Sequence, residues 1–364
     1  MNEIRVLHVD TEHGWRGGQQ QAYYLHQGLC NLGVTSGFVC RKSSEMESRL
    51  KRDGLPVKAI PFLGEGDLIA AYRLAAYARR NAYNILHLHS SHALGWGILA
   101  RLFAPKLKLV AARRVDFAVS DNILSRFKYM GKATNAVVAI SENIRNVLLN
   151  DGLAPQKIHL IHSGVDIQRF RDDTVAPDFR EHWQIPSDSV LIGTIAAFVY
   201  HKDHPNFVHA AAIALNSNPK LHFIAVGSGV RLTAMQELAR ELGIADKLCF
   251  TGMQKQVGSF LKALDIFVLA SKKEGLGTSV LDAMSVGLPV IGTRAGGIPE
   301  MIEDGISGLL VEKRNPEALA KAMLLLADDP DLRKRLGEGA LSRVQHFSKE
   351  QMTRKNLELY KKLI

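Results

Sequence analysis

Cysteine is scarce in this chain, and no pattern makes use of it. Three cysteines, Cys30, Cys40 and Cys249, are spread over 364 residues with no CxxC pair. Their spacing argues against disulfides and against a structural zinc site, and it fits a reducing compartment. The longest uncharged apolar run, Val190 to Tyr200, is about half the ~20 residues that a membrane-spanning helix needs. The N-terminus reads as a charged lead-in to a strand, so we expect a cytoplasmic protein, at most peripheral on the inner face of the membrane.

Several common enzyme motifs are also missing. The sequence contains no Walker A loop, no GxSxG elbow and no HExxH zinc motif. A glycine-rich loop does follow the first predicted strand, and Gly14, Gly17 and Gly18 would let its backbone approach a ligand closely. The loop does not match GxGxxG, and no acid follows about twenty residues later. A dinucleotide site is therefore not favoured, and a tight turn without a ligand is an equal alternative.

Positive charge is concentrated in the first half of the chain. Lysine and arginine outnumber the acids 46 to 36, a formal net charge of +10, and residues 1–175 carry +8 of it. This excess predicts an anionic partner for the first half. Nucleic acid is not expected, because no helix-turn-helix, RNP or zinc-finger signature is present. Two segments that mix apolar residues with cations, 96–106 and 125–132, either contact an anionic membrane or pack their apolar faces inside a domain.

Short apolar strands alternate with helical stretches throughout, which is the pattern of parallel α/β sheets. The alternation stops at residues 166–189, a charged stretch that we interpret as the region of a linker. We therefore predict two Rossmann-like, doubly wound domains, residues 1–170 and 171–346, followed by a C-terminal helix at 347–364. In such sheets, ligands bind at the carboxyl ends of the strands.

One stretch combines a carboxylate with free backbone amides. A predicted strand, Asp265–Leu269, runs into a glycine-punctuated loop, and a helix is predicted to begin near Thr278. The unpaired N–H groups of a helix N-terminus suit a phosphate. Glu274 beside them suits neutral hydroxyls, and Asp282 lies about one turn beyond Thr278 on the same face. The segment predicts a site for phosphate and sugar together; the alternative is a buried strand, loop and helix with surface acids.

Polar side chains follow two other predicted strands of the first half. His87 and His89 share one face of a strand. His92 belongs to the same cluster at the end of this strand. Polar packing or ligand hydrogen bonding is favoured there over a metal site, because the neighbouring sequence shows no carboxylate or additional histidine to support these three. Arg113 and Arg114 suit phosphate or carboxylate recognition, with an ion pair to Asp116 as the alternative.

The second half offers a cation and a permissive turn. Lys202 follows a strand and precedes a helix, where its ammonium suits a diphosphate. Gly227 opens a turn after the next strand. Asp329 and Asp331 match a metal-binding DxD only superficially, and we interpret them as a turn and helix cap.

Together these stretches resemble the retaining glycosyltransferases of family 4 (glycosyl transferases group 1), which have the GT-B fold. In the second half the resemblance covers residues 190–364, through Lys202, 226–229, 250–252, Glu274 with Asp282, 287–291, 296–300 and 304–308. The first half resembles the acceptor domain of that family more loosely, through the loop at 17–18, His87, His89 and 163–166.

The resemblance implies two domains facing across a cleft, with the C-terminal helix returning to the N-terminal domain. It implies a nucleotide-sugar donor on the C-terminal domain, a glycan or lipid-linked acceptor on the N-terminal domain, and transfer with retention, with no cofactor and no catalytic metal. Glu274 would hold donor hydroxyls, and Lys202 would stabilise the departing diphosphate. The implied catalytic residues are Glu274, Lys202, Arg113 and Asp116. The implied donor-binding residues are Gly17, Gly18, Lys202, Gly227, Gly275, Leu276, Thr278, Ser279 and Asp282, and the acceptor side has His89 and Arg114.

Three positions depart from the family pattern. Asp282 stands where the family has a second glutamate for ribose, and Ala197 stands where it has a phosphate-binding arginine. A histidine common at the end of the fifth strand aligns near Arg113. These differences bear on the substrate and on efficiency more than on the fold.

We expect a transferase of bacterial lipopolysaccharide or surface polysaccharide biosynthesis, with an anionic membrane as a candidate peripheral partner and no nucleic-acid partner. A nucleotide-sugar epimerase of the same architecture and a degenerate, non-catalytic partner protein are the alternatives. The sugar, the nucleotide, the acceptor and the oligomeric state stay open.

Overall fold

The structure is a computed structural model that describes residues 3–62, 64, 66–116, 118–119 and 123–364. It divides into two compact units, one formed by residues 1–164 with 349–364 and the other by residues 165–348. Each unit is built on a parallel sheet with helices. The predicted architecture of two Rossmann-like α/β sheets is confirmed.

In the part of the first unit that the structure describes, seven parallel strands pair in the order β3-β2-β1-β4-β5-β6-β7. The order changes direction between β1 and β4, where such sheets bind ligands. In this register, His8 on β1 lies opposite His87 on β4. The strands are β1 (Arg5–Asp10), β2 (Thr35–Arg41), β3 (Val57–Ile60), β4 (Ile85–Leu88), β5 (Lys108–Arg113), β6 (Thr134–Ala139) and β7 (Ile158–Leu160).

The helices along residues 3–164 are α1 (Gly17–Asn31), α2 (Glu45–Arg52), α3 (Leu68–Arg80), α4 (Ser91–Phe103), α5 (Ile123–Met130) and α6 (Glu142–Asn150). Four helices of the first unit, α2, α3, α4 and α6, begin at a serine or aspartate cap. Asp67 Oδ1 accepts the Ala70 amide at 2.9 Å, and Ser90 Oγ accepts the Ala93 amide at 3.1 Å, which satisfies free N–H groups of two first turns.

In the second unit, six described strands pair in the order β10-β9-β8-β11-β12-β13. The strands are β8 (Leu191–Ile195), β9 (His222–Val226), β10 (Leu248–Gly252), β11 (Ile266–Leu269), β12 (Val290–Thr293) and β13 (Leu309–Val311). The helices are α7 (Phe179–His182), α8 (His204–Ser217), α9 (Leu232–Glu241), α10 (Val257–Ala263), α11 (Thr278–Ser285), α12 (Ile298–Met301), α13 (Pro316–Asp328) and α14 (Pro330–Val344).

The last helix, α15 (Lys349–Leu363), belongs to the first unit and packs on α1. Gly28 on α1 lets the two helices approach closely, because a Cβ at this position would overlap the side chain of Thr353. Met352 and Tyr360 are buried in the same core as Leu25. The C-terminal segment therefore completes the core of the first unit.

The charged stretch 166–189 is packed within the second unit. Lys262 on α10 donates to the backbone oxygens of Arg171 at 2.8 Å and Asp173 at 2.6 Å. Further along, Asp329 Oδ1 accepts the Leu332 amide at 2.8 Å and caps α14. The interpretation of Asp329 as a helix cap is confirmed. Among the helices described, none has the length and apolar character to cross a membrane.

Candidate active site

The turn from β11 into α11 depends on glycine. The helix begins at Thr278, as the sequence predicts, and Gly277 before it has a φ of 94°. That backbone conformation is strained for other residues, and Gly277 has no side chain to cap the helix. A Cβ there would also lie 3.1 Å from Cγ of Glu274. The loop thus leaves the first-turn amides of α11 beside the Glu274 side chain, with Thr278 and Ser279 both partly exposed.

Glu274 and Lys202 form an ion pair in this loop. Lys202 ends a 3-10 turn, Tyr200–Lys202, after β8, and its ammonium donates to Oε2 of Glu274. Only 14% of the Lys202 side chain and 12% of the Glu274 side chain are exposed. Ser271, which is buried, donates from Oγ to the same carboxylate oxygen at 3.1 Å. Two residues that are 72 positions apart in sequence therefore neutralise each other at the carboxyl end of the sheet.

Backbone packing fixes the position of Glu274. Gly296 has a φ of 53°, and a Cβ at this residue would overlap the carbonyl oxygen of Glu274. The Gly297 amide donates to that same oxygen at 3.3 Å. Gly227 has an equivalent role at the neighbouring turn, because a Cβ there would overlap the carbonyl oxygen of Ala196. The glycines at these turns are therefore required for the close packing of one loop on another, independently of any ligand.

Cations surround Tyr200 next to this pair. The Lys272 ammonium lies 3.0 Å from the centroid of the Tyr200 ring and 3.9 Å from Oδ1 of Asp203. The Arg231 guanidinium lies 5.7 Å from the same centroid. Hydrogen bonding and charge from Lys272 lower the pKa of the Tyr200 hydroxyl. This edge of the second unit is thus rich in positive charge, which suits an anionic group.

Asp282 lies one turn into α11 and is partly buried. Burial raises the pKa of its carboxyl to about 6, the Arg169 guanidinium opposes this rise, and the nearby Asp166 carboxylate adds to it. The side chain therefore changes protonation near neutral pH.

In the first unit, four described histidines form one buried group, His8, His26, His87 and His89. Ring nitrogens of His8, His87 and His89 all lie within 4.8 Å of one another. Their neighbour Arg114 donates to Nδ1 of His89 at 3.3 Å. Because arginine is always a donor, the proton of His89 sits on Nε2, which donates to Nδ1 of His8 at 3.0 Å. A guanidinium beside the rings disfavours a bound cation, so the geometry favours hydrogen-bonded packing.

Two further predicted residues of the first unit, Arg113 and Arg114, lie in different places in the structure. Gly17 opens α1, and Arg114 packs over Gly18, where a Cβ would lie 3.4 Å from Cδ of the arginine. Arg113 is buried instead, with its guanidinium 5.2 Å from the centroid of the Tyr129 ring. The alternation of β5 therefore separates the two arginines that the sequence presents as a pair.

Sequence reasoning missed Ser271, His8 and Tyr360. Ser271 stands three residues before Glu274, and its position at the end of an apolar strand was an available signal. His8 and Tyr360 meet His87 only through the pairing of β1 with β4 and the docking of α15. No local pattern encodes either contact.

Family models match both halves of the chain. A model described as glycosyl transferases group 1 matches residues 175–343, and one described as glycosyltransferase family 4 matches residues 15–169. The chain belongs to the family 4 glycosyltransferases. The predicted family and the predicted enzyme class, a glycosyltransferase, are thereby confirmed.

Individual proteins give the same picture. N-acetyl-alpha-D-glucosaminyl L-malate synthase of Bacillus anthracis is 29% identical over 303 residues, which cover 81% of this chain and 78% of that protein. A glycosyltransferase structure from Rickettsia africae has a TM-score of 0.88 at 23% identity, covering 100% of this chain and 99% of that one. HepE from Anabaena, solved with UDP-glucose, has a TM-score of 0.85 at 18% identity, covering 99% and 100%. Both solved structures therefore share the fold of the present chain.

Proposed function

We propose that this glycosyltransferase moves a sugar, with retention, from a nucleotide-sugar donor to a glycan or lipid-linked acceptor. The observation that carries the proposal is the ion pair of Lys202 with Glu274 beside the uncapped start of α11. Helix amides and an ammonium suit a diphosphate, and a carboxylate suits sugar hydroxyls. The two chemistries that a nucleotide sugar requires are adjacent in one loop.

Donor binding exchanges the partners of this pair. The Lys202 ammonium turns to the diphosphate together with the amides of Thr278 and Ser279, and Glu274 accepts hydroxyls of the sugar. Ser271 keeps its hydrogen bond to Glu274 and holds the carboxylate in place. Because neither charge is left buried without a partner, the exchange avoids the cost of breaking a buried ion pair.

Transfer then needs stabilisation of the leaving group more than a protein base. The bond from the anomeric carbon to the diphosphate oxygen breaks, and the acceptor oxygen bonds to the same face of that carbon. The acceptor proton passes to the departing phosphate oxygen. Lys202 and the α11 amides stabilise the negative charge that develops on the diphosphate.

The remaining roles follow from the family resemblance. Asp282 binds the ribose of the donor, and Gly17, Gly18, Gly227, Gly275 and Leu276 contribute backbone to donor binding. His89 and Arg114 act on the acceptor side, and Arg113 and Asp116 assist catalysis. We assign the reaction to bacterial lipopolysaccharide or surface polysaccharide synthesis on the cytoplasmic side of the membrane. We assign it no cofactor and no catalytic metal, so EDTA should leave turnover unchanged.

A donor panel tests the proposal. HepE is solved with UDP-glucose, which makes UDP-sugars the first donors to screen by thermal shift and by nucleotide release. We expect one donor to raise the melting temperature. Proton NMR should show that the anomeric carbon of the transferred sugar has the same configuration in the product as in the donor. Glu274→Gln should abolish release. Lys220→Met, which breaks an exposed ion pair with Asp188 at 3.4 Å, is the control and should retain activity.

Three outcomes would contradict the proposal. They are an absence of stabilisation by every donor, an inverted product, and full turnover by the Glu274→Gln variant. Release of a free sugar with a changed configuration at C2 and no acceptor would indicate an epimerase instead.

A further inference from the structure

Large apolar side chains lie exposed together on α3 and at the end of α4. Among the described residues of this region, Leu68, Ile69 and Tyr72 are 54%, 66% and 51% exposed, and Leu102 and Phe103 are 71% and 37% exposed. The Tyr72 ring packs edge-on against Phe103 with centroids 5.4 Å apart, which joins the two helices into one patch. We call these five residues the α3–α4 surface. Clustered exposure of this kind marks an interaction site more often than scattered exposure does.

From Leu68 onward, the sequence that carries this surface contains only one sign of charge, and the acid directly before it, Asp67, is the N-cap of α3. From residue 68 to residue 115 there is no aspartate or glutamate, and the eight charged residues are Arg73, Arg79, Arg80, Arg101, Lys106, Lys108, Arg113 and Arg114. This one stretch has a net charge of +8, against +10 for the whole chain. Arg73, Arg79, Arg80 and Lys106 are exposed. Apolar side chains are therefore bordered by cations with no acid between them in sequence.

The structure also refines the two segments that the sequence offers for membrane contact. In 96–106, Trp96 is buried against Phe62, with ring centroids 3.7 Å apart, and only the last turn of α4 is exposed. In 125–132, Phe127 is exposed but Tyr129 is buried. The expectation was thus incomplete, because α3 contributes more exposed apolar area than either segment.

We propose that the α3–α4 surface docks this chain onto an anionic lipid bilayer. Apolar side chains would enter the boundary between headgroups and acyl chains, and the flanking arginines and lysines would contact lipid phosphates. A nucleic acid would use the cations but has no use for Leu68, Ile69 and Leu102 on the same surface. The proposal does not depend on the transfer reaction, so either can fail without the other.

Flotation with extruded vesicles tests the docking. The whole chain should bind vesicles of equal parts phosphatidylcholine and phosphatidylglycerol, and it should not bind vesicles of phosphatidylcholine alone. Ile69→Ser with Leu102→Ser should lower the partition coefficient by about tenfold or more, since both side chains lose their burial in lipid. Arg79→Gln with Arg80→Gln should lower it by about tenfold, and that contribution should disappear in high salt.

Matched variants in the second unit control for surface chemistry alone. Met253→Ser with Leu325→Ser removes two exposed apolar side chains, and Lys334→Gln with Arg335→Gln removes two exposed cations. Both should bind vesicles like the wild type. Circular dichroism melts of all variants should coincide, which shows that each variant is folded.

Four results would overturn the docking proposal. They are no flotation with anionic vesicles, equal flotation with neutral vesicles, equal loss in the control variants, and a dimer in light scattering that Ile69→Ser with Leu102→Ser dissociates. The last result would identify the surface as an interface between copies of this chain. If the first result is accompanied by binding of single-stranded RNA, the cations of this surface bind nucleic acid and not a bilayer.

Discussion

Lowering the pH from about 7 to about 5 should destabilise the first unit far more than the second. The cause is the buried group His8, His26, His87 and His89, whose side chains are between 0 and 4% exposed. Burial lowers the pKa of His26 to about 4 and of His87 to about 3, and it lowers the pKa values of His8 and His89 well below the ordinary value. In the unfolded chain, each histidine has a pKa of about 6.5.

The sign and size of the effect follow from proton linkage. Below about pH 6.5 the unfolded chain binds protons that the folded unit does not, so stability is present above that pH and is lost as the pH falls. His26 and His87 each cost about 2 kcal/mol between pH 7 and pH 5, and His8 and His89, whose pKa values are also lowered, add to the loss in the same direction. Total stabilities of domains are about 5–15 kcal/mol. The raised pKa of the buried Asp10 carboxyl offsets a small part of the loss.

Urea titrations at both pH values would measure the loss. Samples are pulse-labelled with deuterium at one fixed pH, and peptides from β1 and β4 report on the first unit while peptides from β8 and β11 report on the second. His26→Phe should reduce the loss in the first unit by about 2 kcal/mol, whatever it does to stability at neutral pH. Exposed His13→Gln is the matched control and should leave the loss unchanged. Equal urea midpoints for the first unit at the two pH values would refute the reasoning.

Three further predictions concern the second unit. Gly277→Ala should lower the free energy of unfolding in urea by about 1–2 kcal/mol and should reduce turnover. The control is Gly305→Ala, because Gly305 is also at positive φ (76°) but has open space around it; it should lower stability by a similar amount and leave turnover unchanged. Equal turnover in both variants would reject a role for crowding at Glu274. Lys202→Met should destabilise the second unit by about 2–3 kcal/mol. In a double-mutant cycle, Lys202→Met combined with Glu274→Gln should destabilise the unit by at least about 1 kcal/mol less than the sum of the two single variants. Additive losses would mean that the two residues are not coupled. The pKa of Asp282 in the folded chain is raised to about 6, so the stability that this carboxyl contributes is present below about pH 4 and is lost as the pH rises through 6. The free energy of unfolding of Asp282→Asn should therefore rise by about 2 kcal/mol relative to that of the wild type between pH 4 and pH 8. A difference between the two proteins that does not change with pH in urea titrations would contradict the raised pKa.

Local patterns were sufficient for the strand, loop and helix around Glu274. The apolar run of β11, the glycines and the helix start at Thr278 are all encoded within about twenty consecutive residues, because turn chemistry and helix capping are local. The same holds for the Asp329 cap, since a side chain reaches an amide three residues ahead.

Contacts between distant segments could not be derived in this way. The Lys202 ammonium reaches Glu274 only because β8 pairs with β11, and Tyr360 reaches His87 only because α15 returns to the first unit. The exposed face of α3 was missed for a related reason. An apolar run such as residues 68–72 is equally suited to a core and to a surface, and tertiary packing decides which it becomes.

The Lys202–Glu274 pair also constrains which ligands the proposed site can hold. In the free chain the carboxylate already has an ammonium and the Ser271 hydroxyl as partners. A free sugar offers Glu274 only neutral hydroxyls and gives Lys202 nothing in return, so it must compete with the ammonium for the carboxylate. A nucleotide sugar supplies the anion that draws Lys202 away and the hydroxyls that replace it in the same event. The free sugar should therefore bind far more weakly than the intact donor in calorimetric titrations, and Lys202→Met should narrow that difference, because its carboxylate has no ammonium to lose.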